Sequence, residues 1–325
     1  MSPAGTATTR GPLVVEVTRG SEVESRHELD AVTVDVAGRV VESFGDPART
    51  VLARSALKPI QASALITTGT ADAMGLGDEH LALACASHNG EHGHVDLVDR
   101  WLTSQGQSHR QLECGAQQPG DRPSADALVL GGMLPDARHN NCSGKHAGFL
   151  TLAAHHSLDT GGYIGPDHPV QATHVTPAIE DFCRIDLRKA TPGVDGCGIP
   201  VWPIPLTQLA AGWSQLHHRG AGRRLLDAMA AHPFLVAGTG RWCTHLLEQS
   251  AGRAVVKTGA EGVYCAVDRL HGYGLAIKAR DGAARASEAA VAWFLDRWGA
   301  IDHAAPRPLT NWAGTTVGEI RLRTP

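Results

Sequence analysis

Three short motifs carry the residue types of a serine nucleophile and its proton acceptors. They are S-x-x-K at 55–58, S-x-N at 87–89 and K-T-G at 257–259. A serine hydroxyl is a weak nucleophile and needs a base within hydrogen-bond reach. Residues i and i+3 lie on one face of a helical turn, so the Lys58 amine can reach the Ser55 hydroxyl if a helix begins here. Pro59 is compatible with such a start, because the amides of a first helical turn have no partner within the helix.

The other two motifs supply the surroundings that a lysine base requires. A lysine accepts a proton near neutral pH only if burial or a neighbouring cation lowers its pKa. We expect Lys257 to be that cation and Ser87 to relay protons between the two amines. We expect the backbone amides of Ser55 and Ala260 to form an oxyanion hole. The three motifs match, in order, the signature of serine β-lactamases and penicillin-binding proteins.

Each motif residue also has a purely structural explanation when it is taken alone. Ser55 could cap a helix, Ser87 could be a polar loop residue, and Lys257 could be a solvated lysine at a strand end. Chance would place all three motifs in this order in about one such chain in a thousand. Their joint occurrence therefore favours catalysis.

A second group of candidates lies in two glycine-rich stretches, 140–146 and 193–200. Gly144-Lys145 resembles a fragment of a P-loop, but the upstream glycine and the following Ser or Thr are absent, which excludes phosphate binding of that kind. Cys142 and Cys197 fit buried structural thiols. They also fit a zinc site in which Lys145 or His146 is an additional ligand.

The remaining cysteines and histidines give weaker signals. Seven cysteines are scattered through the chain, too few for a disulfide framework. A further metal site is conceivable in the histidine-rich stretch that follows Ser87, although it matches no named zinc pattern. Its members are His88, Glu91, His92 and His94.

Longer stretches around these residues resemble the rhizobial-type L-asparaginases, also called the asparaginase II family. The matching stretches are 54–59, 85–90, 141–146 and 194–198, and the resemblance extends from about residue 12 to 317–321. It implies a fold similar to serine β-lactamases and glutaminases, hydrolysis of L-asparagine and a homodimer. It also implies that Ser55 is the nucleophile, that Lys58 is the base, and that Ser87 and Lys257 support them. Lys278 is the alternative to Lys257 as the second catalytic lysine.

The same resemblance implies a zinc ion close to the substrate that does not carry the hydrolysis. Its ligands would be Cys142, Lys145 and Cys197. The residues implied to lie near the substrate are Arg54, His146 and Asp195.

The elements that must position these residues follow from hydrophobic patterns. Strands rich in β-branched residues are predicted near both ends of the chain, and helical spacing dominates the middle. The predicted strands cover about 13–17, 31–36, 39–44, 253–258, 262–268, 273–280 and 317–322, with a helix over 283–298. We therefore predict a mixed α/β (α+β) fold in which both chain ends build one antiparallel sheet around a largely helical insertion. A single domain would span 1–325, with a sheet subregion at about 12–54 and 253–325 and a helical subregion at about 55–252.

Composition narrows the classes of partner. In 325 residues, 29 basic side chains face 33 acidic ones for a net charge of −4, which disfavours nucleic-acid binding. No apolar run approaches the ~18–20 residues of a membrane span, and the first ten residues contain no apolar signal core. We expect a cytoplasmic protein whose partner is a small molecule.

Two classes of function remain open from the sequence. The favoured one is a serine amidohydrolase that releases ammonia from L-asparagine, with a glutaminase or a β-lactamase-like hydrolase as the enzymatic alternative. The other class is a catalytically silent module that binds zinc or an amino acid on the same fold.

Overall fold

The computed structural model describes residues 9–323, in which strands lie toward both ends and helices fill most of the middle. The strands are β1 (Thr9–Arg10), β2 (Leu13–Arg19), β3 (Glu22–Val34), β4 (Val40–Phe44), β5 (Thr50–Leu52), β6 (Gly193–Val194), β7 (Pro200–Val201), β8 (Pro203–Pro205), β9 (Ala254–Thr258), β10 (Val263–Asp268), β11 (Tyr273–Ala279), β12 (Arg307–Thr310) and β13 (Thr316–Arg323). The α-helices are α1 (Lys58–Thr67), α2 (Thr70–Ala73), α3 (Asp78–Ala84), α4 (His92–Ser104), α5 (Arg122–Leu130), α6 (Ser143–His155), α7 (Thr176–Cys183), α8 (Leu206–His218), α9 (Gly220–Ala231), α10 (Pro233–Ala237), α11 (Trp242–Ser250) and α12 (Ala284–Arg297).

The main sheet joins the two ends of the chain. Its order is β12-β13-β2-β3-β11-β10-β9, with β4 also paired to β3 and β1 paired to β4. The ladders are antiparallel except for β1 with β4, which run parallel. The predicted α/β fold class, with one antiparallel sheet from both ends, is confirmed.

The sequence pattern missed parts of this sheet. Strand β3 begins at Glu22, well before the predicted start, and its first half alternates between exposed and partly buried residues. Charged residues in this half, such as Glu24 and Arg26, hide the strand from a pattern based on hydrophobicity, because that half presents little apolar surface. Strand β12 was missed for a related reason, since its residues are exposed or only partly buried and include Pro308.

The described residues form two compact units. The sheet unit comprises the chain up to Ala56, Pro203–Gln215 and the chain from Gln249 onward, and the helical unit comprises Leu57–Trp202 and Leu216–Glu248. The segment Pro203–Gln215 lies within the predicted helical subregion but clusters with the sheet. The reason is packing: β8 pairs with β5, and a Cβ added at Gly274 of β11 would lie 2.0 Å from the Ala210 carbonyl oxygen of α8.

One helix and an aromatic cluster cover the sheet unit. Helix α12 packs against β10, β11 and β13. Phe44 of β4 meets Trp293 and Phe294 of α12 edge to face, with ring centroids 5.8 and 6.0 Å apart. Such contacts are worth about 0.5–1.5 kcal/mol each beyond the apolar area that they bury. The apolar face of α12 therefore packs on one face of the sheet and buries it.

Close helix contacts organise the helical unit. Helix α3 packs against α6 and α9, and α1 packs against the same two helices. A Cβ added at Gly144 would lie 2.3 Å from the Leu83 carbonyl oxygen, so glycine is needed where α6 crosses α3. This close approach accounts for the glycine of the Gly144-Lys145 pair. None of the helices in residues 9–323 is long and apolar enough to cross a lipid bilayer.

A buried carboxylate ties the sheet unit together. Asp30 is fully buried in β3, accepts hydrogen bonds from Arg280 Nη2 at 2.7 Å and from the Asp46 amide at 2.9 Å, and pairs with Arg49. Burial alone would raise the pKa of Asp30, but hydrogen bonds from Arg280, the Asp46 amide and Arg49 lower it below its usual value. The ionised form is therefore favoured in the folded state.

We expect Asp30→Asn to destabilise the protein by about 3 kcal/mol at pH 7. Breaking a buried ion pair typically costs 3–5 kcal/mol, and the two arginines keep about a third of their surface exposed (37% and 33%), which reduces the cost. Because the pKa of Asp30 is lower in the folded state, its contribution is present above the unfolded-state pKa and is lost as the pH falls through the folded-state pKa. Urea unfolding at pH 7 and at successively lower pH should show the difference between variant and wild type shrinking.

The control for this measurement is Asp126→Asn. Asp126 is exposed and pairs with Arg122 on the surface of α5 at 2.8 Å. Its loss should cost less than about 1 kcal/mol. Equal destabilisation by both substitutions, or a pH-independent effect of Asp30→Asn, would contradict the role given to the buried pair.

Candidate active site

The candidate nucleophile lies in a strained turn. Ser55 is partly buried in the 3-10 helix Arg54–Leu57, which leads directly into α1. The preceding residue, Arg54, has a φ of 51°, in the left-handed region that non-glycine residues rarely adopt. Strain of this kind is retained where the surrounding structure enforces it, and it is frequent at functional sites. The turn thus has the backbone character expected around a catalytic serine.

The K-T-G motif packs against this same turn within the sheet unit. A Cβ added at Gly259 would lie 2.7 Å from the Ala53 carbonyl oxygen and 3.4 Å from Ala56 Cβ. The residue that follows β9 therefore approaches the backbone on both sides of Ser55 closely, at Ala53 and Ala56, which only glycine permits. Ala260 follows in the adjoining turn, partly buried, and its carbonyl oxygen accepts a hydrogen bond from Val263 N at 3.2 Å.

The two rival lysines differ in their surroundings. Lys257 is fully buried in β9, and its Nζ donates to the Thr258 carbonyl oxygen at 2.8 Å. Lys278 of β11 is partly exposed, and its Nζ donates to the carbonyl oxygens of Glu261 and Ala279 at 2.5 Å each. Burial lowers the pKa of Lys278. The contact of Gly259 with the Ser55 turn favours Lys257, because Lys257 belongs to the same strand end.

The candidate base begins the helical unit. Lys58 is the first residue of α1, three residues after the predicted helix start at Ser55; Pro59 lies in the first turn, and Lys58 is 1% exposed. Its Nζ donates to Ser87 Oγ at 3.1 Å, to the Asn141 carbonyl oxygen at 3.3 Å and to the Ala86 carbonyl oxygen. The amine is therefore held in one orientation against Ser87.

The loop that carries Ser87 is fixed from a distant part of the helical unit. The Ser87 amide donates to the Val236 carbonyl oxygen at 2.9 Å. Asn89 Nδ2 donates to the Thr239 carbonyl oxygen at 3.1 Å, and Arg241 donates to Asn89 Oδ1 at 2.8 Å. The asparagine of the S-x-N motif thus orients the loop.

The histidine-rich stretch after Ser87 does not form a metal site. His88 Nε2 contacts Ser143 Oγ at 2.9 Å, and its Nδ1 accepts the Gly90 amide at 3.0 Å. His94 contacts the Phe234 carbonyl oxygen at 2.9 Å. Within residues 9–323, no group of three or more His, Cys, Asp or Glu side chains is arranged to hold a metal. The alternative metal site there is wrong, because hydrogen bonds that order the loop already use both nitrogens of His88.

The predicted zinc ligands do converge, although only two of the three, both cysteines, belong to those residue types. Cys142 precedes α6, Lys145 lies in its first turn, and Cys197 lies in the turn between β6 and β7. Lys145 Nζ donates to Cys197 Sγ at 3.0 Å, and all three residues are at most 5% exposed. A hydrogen bond from the Cys197 thiol lowers the pKa of Cys142 well below its usual value, and the same contact raises the pKa of Cys197.

The charge on Lys145 depends on this pair. Burial disfavours the ammonium, but the neighbouring Cys142 and Cys197 raise the pKa of Lys145 above its usual value. Asp195, in the same β6–β7 turn as Cys197, acts in the same direction. The sequence analysis grouped the stretches 140–146 and 193–200 as one candidate site. The effect of Asp195 on the pKa of Lys145 is consistent with that grouping.

A residue that sequence reasoning missed touches the predicted substrate-binding residue His146. His146 is fully buried in α6, and its Nδ1 lies 2.8 Å from the Tyr163 hydroxyl. The Glu113 amide donates to that same hydroxyl at 2.9 Å. Tyr163 is one of three tyrosines and lies among glycines in the stretch 161–165, a signal that could have drawn attention to it.

The predicted site residues are divided between the two units. The sheet unit contains Arg54, Ser55, Lys257 and Ala260. The helical unit contains Lys58, Ser87, Cys142, Lys145, His146, Asp195 and Cys197. Within the helical unit the structure brings Lys58 to Ser87 and brings the three sulfur and nitrogen donors together; within the sheet unit it brings the K-T-G motif to the Ser55 turn.

Two chains among the solved structures are similar to this one at low identity. A β-lactamase from Mycobacterium bovis is 16% identical, with a TM-score of 0.41 over 83% of this chain and 94% of that chain. A candidate β-lactamase from Bacteroides dorei is 12% identical, with a TM-score of 0.38 over 82% and 85% of the two chains. The comparison with curated proteins returns no significant match.

A comparison with protein families gives the decisive match. The family model described as L-asparaginase II aligns with residues 15–322, nearly the whole of the 325-residue chain. That span contains each of the three motifs as well as the cysteine-bearing stretches. The chain belongs to the L-asparaginase II family.

Proposed function

We propose that this protein is an L-asparagine amidohydrolase that uses a serine nucleophile and a lysine base. The observation that carries the proposal is the buried amine of Lys58, which lies one helical turn after Ser55 in the chain and donates to Ser87 Oγ at 3.1 Å. Family membership supports a hydrolase of this kind. The substrate and the roles of individual residues are our proposal.

In the first stage, Ser55 Oγ attacks the side-chain carbonyl carbon of L-asparagine while its proton passes to the neutral amine of Lys58. The new C–O bond turns the carbonyl oxygen into an oxyanion, which the amides of Ser55 and Ala260 stabilise. The tetrahedral intermediate collapses, the C–N bond breaks, and the nitrogen takes a proton from Lys58 and leaves as ammonia. Ser87, which accepts a hydrogen bond from Lys58, can pass that proton to the leaving nitrogen.

In the second stage, water attacks the aspartyl ester on Ser55. Lys58, neutral again, takes a proton from the water, and a second tetrahedral intermediate forms. Its collapse breaks the bond to Ser55 Oγ, which regains a proton from Lys58. L-Aspartate is released, and the serine and the amine return to their starting states. In this scheme Lys257 supplies the positive charge that we expect beside the lysine base.

The chemistry of the donor set fits a zinc ion at Cys142, Lys145 and Cys197. Two sulfurs and, once Lys145 has given up a proton to the solvent, one nitrogen are a ligand set that Zn²⁺ accepts, and three protein ligands leave one position open. Cys142 already favours the thiolate, which is the ligating form. A zinc ion bound here would polarise an oxygen of the substrate. No proton transfer of the proposed scheme requires it.

We expect about one zinc per chain in protein purified without added metal, measured by elemental analysis. Cys142→Ser and Cys197→Ser should each reduce the content below about 0.2 per chain, because a thiolate is the preferred zinc ligand. Removal of zinc with a chelator should raise KM more than it lowers kcat.

The matched control is Cys183→Ser. Cys183 is buried at the end of α7, where burial raises the pKa of its thiol to about 12, so it resembles an inert structural cysteine. This variant should keep the zinc of the wild type. Wild-type protein with less than about 0.2 zinc per chain, and no gain in activity when zinc is added, would rule the site out.

Steady-state release of ammonia tests the proposed function directly. Ammonia release from L-asparagine and from L-glutamine should be compared, at equal concentration, with the absorbance change of a chromogenic β-lactam, whose hydrolysis releases no ammonia. We expect kcat/KM to be largest for L-asparagine. If L-glutamine or the lactam is hydrolysed with a larger kcat/KM, that compound replaces L-asparagine as the proposed substrate. If none of the three compounds is hydrolysed, the protein is a catalytically silent binding module. A homodimer and a cytoplasmic location remain predictions.

A further inference from the structure

The side chain of His146 carries a buried nitrogen with no partner. His146 is 0% exposed, and its Nε2 has no hydrogen-bond partner among the described residues. Buried polar atoms are nearly always satisfied by protein, water or ligand, so this nitrogen indicates a group that binds here. The other ring nitrogen, Nδ1, is occupied by Tyr163.

The contacts of Tyr163 define which ring nitrogen carries the hydrogen. A backbone amide can only donate, so the Tyr163 hydroxyl oxygen accepts from Glu113 N at 2.9 Å. The hydroxyl proton then points to its other contact, His146 Nδ1 at 2.8 Å. Nδ1 must be the acceptor, and a neutral imidazole with an acceptor at Nδ1 carries its hydrogen at Nε2. The nitrogen without a partner is therefore a donor.

Tyr163 is itself held firmly. It is fully buried, its carbonyl oxygen accepts from Gln171 Nε2 at 3.0 Å, and its ring packs at an angle against Phe149 and His146. Among the described residues the hydroxyl contacts the Glu113 amide and His146 Nδ1. The Glu113 amide precedes Cys114, and His146 lies within α6.

We propose that Tyr163 is a positioning residue that fixes His146 as a hydrogen-bond donor at Nε2, and that this donor binds a carboxylate oxygen of the amino-acid substrate. The proposal rests on the proposed function. A carboxylate suits the site because a buried N–H donor requires an acceptor, and the carboxylate is the strongest hydrogen-bond acceptor of a free amino acid. The same hydrogen at Nε2 excludes His146 as a metal ligand through that atom.

Nuclear magnetic resonance of the full chain labelled with ¹⁵N-histidine tests the first half of the proposal. Two-bond couplings distinguish a ring nitrogen that bears hydrogen from one that does not, and the signals of His146 are those that disappear in His146→Gln. We expect hydrogen at Nε2 in the wild type and a mixture of both tautomers in Tyr163→Phe. Tyr273→Phe is the control, because Tyr273 contacts His271 in the sheet unit and should leave the His146 signals unchanged.

Two substitutions at His146 test the second half. The amide nitrogen of glutamine can reach the place of Nε2, whereas that of asparagine can reach only the place of Nδ1. We therefore expect His146→Gln to keep KM for L-asparagine within about threefold of wild type and His146→Asn to raise it at least about tenfold, the loss expected for one hydrogen bond to a charged group. L-Aspartate, the proposed product, should shift the Nε2 resonance of the wild type.

Several results would overturn the proposal. Hydrogen at Nδ1 in the wild type, or an unchanged tautomer in Tyr163→Phe, removes the role of Tyr163. Equal KM values for the two His146 variants, or an Nε2 resonance that L-aspartate does not move, removes the carboxylate contact. A wild-type protein that hydrolyses no asparagine contradicts the proposed function instead, while the tautomer measurement still decides the role of Tyr163 without turnover.

Discussion

Ser55→Ala should lower kcat for L-asparagine by at least about a thousandfold, because removal of a nucleophile typically costs several orders of magnitude. The substitution removes one oxygen from a partly buried side chain in the 3-10 helix Arg54–Leu57, so the fold should persist. Ammonia release under saturating substrate gives kcat, and circular dichroism verifies the fold. Mass spectrometry after rapid acid quench should detect an aspartyl adduct on the wild type and none on the variant.

Ser63→Ala is the matched control for this prediction. Ser63 lies in α1, a few residues from the candidate nucleophile, and its buried hydroxyl donates to the Ile60 carbonyl oxygen at 2.6 Å. It should retain kcat within about threefold, because local hydrogen bonds of this kind do not take part in chemistry. If Ser55→Ala keeps more than about a tenth of wild-type kcat, the nucleophile lies elsewhere.

Lys58→Arg should lower kcat about a hundredfold or more, the contribution typical of a positioned general base. The guanidinium keeps the positive charge but cannot lose a proton in the accessible pH range, so it can hold Ser87 yet cannot accept a proton from a serine. Ammonia release under saturating substrate gives kcat of the variant and of the wild type, and circular dichroism verifies the fold.

Lys189→Arg tests whether a lysine-to-arginine change is harmless elsewhere. Lys189 is exposed in the helical unit and should tolerate the change without loss of rate. A Lys58→Arg enzyme that keeps more than about a tenth of wild-type kcat would refute the lysine base, and the proton acceptor of Ser55 would then be another group.

Local patterns in the chain carry much of the fold and of the chemistry. The alternation of β-branched residues predicted β2, β9, β10 and β11 within one or two residues at most ends, because their apolar faces are buried in the sheet. Pro59 and the S-x-x-K spacing, which act over one turn of chain, predicted a helix that starts at Ser55; the structure has the 3-10 helix Arg54–Leu57 there, and α1 starts three residues later, at Lys58. The first half of β3 was not predictable in this way, since its charged residues alternate with only partly buried ones.

The sequence by itself determined the kinds of chemistry available, because residue type and spacing along one turn are properties of the chain. The tertiary structure decided which distant groups meet. Lys145 and Cys197 are 52 positions apart and touch only because the β6–β7 turn reaches the start of α6. His88 and His94 gave a weaker signal of a metal site, and hydrogen bonds to Ser143 and the Phe234 carbonyl oxygen occupy them. Contacts of this range depend on packing and loop closure, which no short pattern records, and the hydrogen at His146 Nε2 follows from such a contact with Tyr163.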